Sequence, residues 1–114
     1  MWTVIYAKEF DDWLSALPED VQDSVESMIR LLKMEGPQLS RPYADVIHGS
    51  PLSNLKELRI QHRGQPYRAF FVFDPQRLAI VLCAGNKQSD KRFYERMTPL
   101  AESIYQRYLQ EKKQ

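Results

Sequence analysis

Residues 67–85, YRAFFVFDPQRLAIVLCAG, constrain the fold of this chain more than any other segment. YRAFFVFD is rich in aromatic and β-branched residues, DPQ reads as a turn, and RLAIVLCAG is a strand apolar on both sides. Such a strand belongs in the interior of a sheet. Just upstream, LKELRIQHR alternates Leu58 and Ile60 with Glu57, Arg59 and Gln61, and RGQP supplies the turn into the next strand. A three-stranded antiparallel meander is the simplest arrangement of these runs.

The first third of the chain reads differently. WTVIYA alternates as a short strand, and Phe10, Trp13, Leu14 and Leu17 then fall at the i, i+3, i+4, i+7 spacing of one helical face. Pro18 breaks that helix and opens a second, with Glu19 and Asp20 at its positive end and Val21, Val25, Met28, Ile29 and Leu32 as an apolar stripe. Gly36 and Pro37 end it. Residues 37–54 contain three prolines and little periodicity, and are expected to form an extended connection. After the meander, Ser89 or Asp90 can cap a short helix, and Thr98 with Pro99 can open a last one carrying Leu100, Ile104 and Tyr108. The expected class is α+β in a single domain, residues 1–114, ordered β-α-α-β-β-β-α, with the helices on one face of the sheet.

With 114 residues, 43% hydrophobic and 27% charged, the chain can build one core without metal or disulfides. Cys83 is the only cysteine and sits in an apolar run, so it reads as an inert core thiol. The start MWTVIYAKEFDDW lacks a basic n-region, and no stretch approaches the roughly 18 apolar residues of a membrane span. A cytoplasmic protein is expected. The net charge of +1 conceals a segregation along the chain. Residues 1–36 hold three Lys/Arg against eight Asp/Glu, a net of −5, and residues 37–114 hold thirteen against seven, a net of +6. That asymmetry suits a basic face for nucleic acid, and equally suits ordinary solvated helices.

Within the basic part, Arg68 interrupts an apolar strand, where its head must reach a carboxylate, a phosphate or water. Glu57 on the neighbouring strand is one candidate partner. Lys87, Lys91 and Arg92 follow the last strand, interleaved with Phe93 and Tyr94, a mixture that can hold phosphates and stack unpaired bases. His48 and His62 offer a conventional acid or base, or are simply surface residues. No second ligand stands at a spacing that would make either a metal site.

The segments LKELRI, YRAFFVF and AIVLCAGNK resemble the RelE/ParE superfamily of bacterial toxins, and more narrowly the HigB branch that includes phage-derived Gp49-like proteins. The resemblance covers most of the chain, with its specific motifs in residues 55–97. It implies a RelE-like fold and the toxin of a type II toxin–antitoxin system that cleaves messenger RNA on the ribosome, with no cofactor and no metal. It also implies a cognate antitoxin, a HigA-like helix-turn-helix protein, through which alone DNA would be contacted. By resemblance, Arg68, Lys87 and Tyr94 are the catalytic candidates, with Arg68 for transition-state charge and Lys87 for the leaving group or the phosphate. Tyr94 would position or deprotonate the 2′-hydroxyl, with Phe93 as the alternative occupant of its place. Lys56, Arg59, Arg63, Lys91 and Arg92 are expected to bind RNA. A ParE-type inhibitor of DNA gyrase and an inactive partner-binding module use the same fold and stay open as alternatives.

Overall fold

The computed structural model describes residues 1–113. In chain order it contains β1 (Thr3–Tyr6), α1 (Lys8–Ser15), α2 (Glu19–Glu35), a 3-10 turn (Gly36–Gln38), β2 (Ala44–Val46), β3 (Lys56–His62), β4 (Gln65–Asp74), β5 (Leu78–Asn86) and α3 (Phe93–Lys112). The strands form one sheet in the order β1-β5-β4-β3-β2. β1 runs parallel to β5, and every other pairing is antiparallel. The predicted α+β class, the helical pair and the meander β3-β4-β5 are all present.

Three features depart from the sequence-based expectation. First, helices cover both faces of the sheet. Phe10, Leu14, Val25, Ile29 and Leu32 of α1 and α2 pack with Leu58, Ile60, Ala69, Phe71 and Val81, while Phe93, Met97, Ala101 and Ile104 of α3 pack with Phe70, Val72, Ile80 and Leu82. β4 and β5 are apolar on both sides because each side meets a helix. Fully burying a phenylalanine is worth roughly 1.5–3 kcal/mol, against about 0–1 kcal/mol for an exposed ion pair. Phe10, Phe70, Phe71 and Phe93, all fully buried, therefore dominate the stability of the two layers.

Second, the connection 37–54 contains the short edge strand β2, paired Ala44 to Leu58, Asp45 to Glu57 and Val46 to Lys56. Three residues are too few to show a period. Third, α3 is one continuous helix with Pro99 inside it, where a short helix and a separate last helix were expected. Pro99 removes one backbone donor, an interruption that costs about 3 kcal/mol in a helix interior. The stripe Phe93, Met97, Ala101 and Ile104 continues straight across it onto the sheet, and this burial carries the helix through.

A bulge keeps both cores in phase. Phe70 pairs with Cys83, but Phe71 pairs with Val81, so Leu82 is an extra residue on β5. Leu82 and Cys83 consequently both join the α3-side cluster. Cys83 is buried, and desolvation pushes its thiol up to about 12, as an inert core thiol requires.

At the other end of the molecule, Gly36 closes α2 with φ +57° and ψ −140°, a region that is essentially glycine's alone. A Cβ there would collide with the Trp2 indole at Nε1. Gly36→Ala is expected to destabilise the fold by about 2 kcal/mol or more, read as a lower urea midpoint at unchanged slope.

α1 and α3, on opposite faces, are joined by a bidentate pair in which Arg107 Nη1 and Nη2 donate to Glu9 at 2.6 and 2.7 Å. The Arg107 hydrogen bonds hold the Glu9 carboxyl down to about 2, from an ordinary value of 4.5. A folded-state value below the unfolded one means that this contribution is complete above about pH 4.5 and disappears as the pH falls toward 2. Arg107→Ala should therefore lower stability at neutral pH by about 0.5–1 kcal/mol after solvent screening. It should also flatten the acid limb of a stability–pH curve measured by denaturant titration.

Candidate functional site

Strand alternation places Glu57 and Arg59 of β3, Arg68 of β4 and Gly85 of β5 on the α3-facing side of the sheet, with Arg59, Arg68 and Gly85 directly in register. Two arginines side by side repel each other unless an anion lies between them. Glu57 is that anion. It is only 4% exposed. Its Oε2 lies 3.1 Å from Arg59 Nη2, its Oε1 lies 3.7 Å from Arg68 Nε, and Oε1 accepts a hydrogen bond of 2.5 Å from the Tyr94 hydroxyl. Arg59 also reaches Asp45 Oδ2 of β2 at 3.3 Å, so its charge is shared between two carboxylates.

Arg68 is differently placed. It is buried, at 9% exposure, and its guanidinium donates to the Tyr67 carbonyl at 3.0 Å. Its Nε is buried with no hydrogen-bond partner among the described residues. A buried donor without an acceptor is costly in a resting protein. Of the two arginines, Arg68 is the one with unused capacity.

The turn after β5 and the start of α3 complete the cluster. The Lys87 backbone N–H donates to the Pro66 carbonyl at 3.0 Å, and its ammonium lies 5.4 Å from the centre of the Tyr94 ring. Asp90 shapes the entry to α3, accepting from Arg92 N–H at 3.2 Å through Oδ1 and from Phe93 N–H at 3.3 Å through its carbonyl. Phe93 is core, 1% exposed, and a Cβ on Gly85 would stand 3.0 Å from its ring. Tyr94, next in the helix, is half-buried and points to Glu57. Of the two aromatics, Tyr94 stands in the polar cluster and Phe93 in the core.

The sequence-predicted residues thus divide. Arg59, Arg68, Lys87 and Tyr94 come together. Lys91 and Arg92 are exposed on the approach to α3 and form no ion pair among the described residues. Two further residues expected to bind RNA lie apart from the cluster. Lys56 pairs in register with Phe71 and lies 5.4 Å from the centre of the Phe73 ring, on the α1/α2 side of the sheet, because it is one residue out of phase with Glu57. Arg63 adopts φ +48° in the β3–β4 turn and turns toward Asp20 of α2 at 3.6 Å, leaving the face that its strand phase implied. His62 joins that group, bonded to Ser24 and Asp20 at 2.7 and 3.2 Å, and stands apart from the cluster. His48 is exposed on the loop before β3.

Glu57 and Asp45 were not among the sequence-derived site residues. The signal for Glu57 was legible, since it shares a strand face with Arg59 and was an evident partner for Arg68. Asp45 lies in an aperiodic segment and carried none. Among the described residues, no three His, Cys, Asp or Glu side chains converge as a metal site would require.

Burial first, and then the Glu57 carboxylate, push the Tyr94 phenol up to about 12, with Arg68 acting in the opposite sense. At neutral pH Tyr94 is a protonated donor to Glu57. Glu57→Gln removes the second cause and leaves the first. The Tyr94 value is expected to fall below about 12 while staying above 10.0, measured by pH titration of ring-labelled tyrosine in NMR spectra. An unchanged value would show that Glu57 does not govern this phenol.

Residues 12–106 match the family of phage-derived Gp49-like proteins. The chain is 40% identical to the putative toxin HigB3 of Mycobacterium tuberculosis over 107 residues, covering 93% of this chain and 92% of that protein. In structure it resembles the isolated E. coli RelE toxin, with a TM-score of 0.60 at 13% identity over 88% of this chain and 99% of that one. It also resembles the intact E. coli RelBE toxin–antitoxin complex, with a TM-score of 0.57 at 14% identity over 75% and 95%. The structural likenesses establish the fold, and the sequence matches establish the kinship. The chain therefore belongs to the phage-derived Gp49-like family and is a HigB-like toxin with a RelE-like fold.

Proposed function

We propose that this toxin is a ribosome-dependent messenger RNA endonuclease that cuts by attack of a ribose 2′-hydroxyl on the adjacent phosphate, without a metal. The observation that carries this reading is the buried Glu57 carboxylate gathering Arg68 and Tyr94 beneath Lys87. In the proposed step the new bond is 2′-oxygen to phosphorus and the broken bond is phosphorus to 5′-oxygen. Glu57 takes the 2′-hydroxyl proton, a task for which a carboxylate is better suited than a phenol held near 12. Tyr94, as a donor, aims the hydroxyl at phosphorus. The Arg68 guanidinium offsets the charge that develops on the non-bridging oxygens, and the Lys87 ammonium supplies the proton to the departing 5′-oxygen. The products are a 2′,3′-cyclic phosphate and a 5′-hydroxyl.

Arg59, held by two carboxylates, serves to fix Glu57 and is a weaker RNA ligand than its charge suggests. Lys91 and Arg92 extend the cationic approach along the RNA backbone. The likeness to the RelBE complex supports a cognate antitoxin as partner, and the kinship with HigB3 suggests that it is a HigA-like helix-turn-helix protein through which DNA would be contacted. Nothing in the arrangement favours gyrase, whose inhibition by protein contact needs no cations around a tyrosine.

The test is cleavage of a defined messenger RNA by purified protein, with and without programmed ribosomes, mapping each new 5′ end. Ribosome-dependent cuts leaving 5′-hydroxyl ends are expected, reduced about 100-fold or more by Arg68→Ala and strongly by Lys87→Ala. Arg68→Lys, which keeps the charge and loses the planar fork, controls for folding and should remain well below wild type. Intact RNA under both conditions, from a protein that still arrests growth, would overturn the nuclease reading.

A further inference from the structure

The loop between β2 and β3 is pinned at three points. Ile47 N–H donates to the Leu55 carbonyl at 2.9 Å, Leu52 packs against the α3-side core, and the Ser50 hydroxyl donates to Glu102 Oε2 at 2.6 Å. The Ser50 oxygen also accepts Leu52 N–H at 3.0 Å. A loop tied in this way presents its outer residues at a defined place. Between it and the first turns of α3 lies an open cavity of about 340 Å³, with His48 and Pro51 on the loop side and Tyr94, Glu95, Pro99 and Glu102 on the helix side. That volume is at the lower end of ligand sites, which span roughly 300–1,000 Å³.

Tyr94 belongs to both the cavity and the polar cluster, and charge changes sign across it. Arg68 and Lys87 stand on the cluster side, Glu95 and Glu102 on the cavity side, and no cation lines the cavity. Two carboxylates repel a phosphate and leave room for a neutral planar group. The Tyr94 ring, the His48 imidazole and the Pro99 ring offer stacking surfaces for such a group. Glu102 is engaged by Ser50, whereas Glu95 has no hydrogen-bond or ion-pair partner among the described residues. A carboxylate can accept two parallel N–H bonds. Of the four RNA bases only guanine presents two adjacent N–H donors, N1–H and N2–H, on its pairing edge.

We infer that this cavity is a guanine-selective nucleobase subsite, in which Glu95 accepts N1–H and N2–H while the neighbouring phosphate lies at Arg68 and Lys87. The inference rests on the nuclease reading and adds the identity of the base. Two measurements test it. The purified toxin is titrated with guanosine, adenosine, cytidine and uridine 3′-monophosphates, following amide shifts of the 47–52 loop and α3. Cut sites of wild type and Glu95→Gln are then mapped on one messenger RNA. Guanosine 3′-monophosphate is expected to bind about tenfold tighter than the others, with that margin and the guanine bias of the cut sites both lost in Glu95→Gln. Cleavage without guanine bias, or a bias that survives Glu95→Gln, would overturn the subsite and leave the nuclease standing. If the wild type cuts nothing, the nuclease reading falls and the titration decides alone. Selective guanosine binding abolished by Glu95→Gln would sustain the subsite, and unselective binding or none would overturn it.

Discussion

Strands β4 and β5 are apolar on both faces, and the rest of the molecule follows from the need to cover them. α1 and α2 cover one face and α3 the other. The bulge at Leu82 lets a strand feed both layers without losing its register with β4. Once both faces are closed, polar side chains on the α3 side remain only where the helix has not yet begun to cover the sheet, or where it has run past. Asp74, tied to Lys112 at 2.8 Å, marks one end, and the Glu57 cluster marks the other. The position of the candidate site is thus a consequence of how α3 lies on the sheet.

Within that cluster a single buried carboxylate organises two arginines and a tyrosine. Removing charges from water is expensive, and such a group persists only when partners satisfy it. Glu57 has Arg59 and the Tyr94 hydroxyl as hydrogen-bond partners, and Arg68 at longer range. The arrangement is incomplete at one atom, Arg68 Nε. Buried donors are nearly always paired, so this one marks the polar cluster off from the rest of the interior. Natural proteins leave local rules unsatisfied mainly at functional or strained sites.

Tyr94 divides the surface by charge. Arg68 and Lys87 stand on one side of it with the buried Glu57, and Glu95 and Glu102 on the other, toward the loop before β3. A strand of RNA is likewise two-sided, with charged phosphates along one edge and neutral bases along the other, so an interface of mixed sign can read it without excess attraction. The chain's near-neutral total is compatible with nucleic acid for this reason. What matters is how the thirteen cations and seven carboxylates of residues 37–114 are distributed over the surface.

Much of this could be read from the residues in order. Periodicity located the helical pair and the meander, because side chains on helices and strands repeat at fixed local intervals. The motif resemblance selected Arg68, Lys87 and Tyr94, which do converge. Phase within a strand, a local property, already separates Lys56 from Glu57. Folding alone decided the matters that depend on distant partners. β2 exists because β3 offers it an edge, α3 passes through Pro99 because its stripe finds the sheet, Arg63 turns away because a loop places it near Asp20, and the Tyr94 phenol sits near 12 because burial and Glu57 act on it together. Local spacing determines what a segment can become. Which donor meets which acceptor, and in what dielectric, is set only when residues some tens of positions apart are brought within a few ångströms.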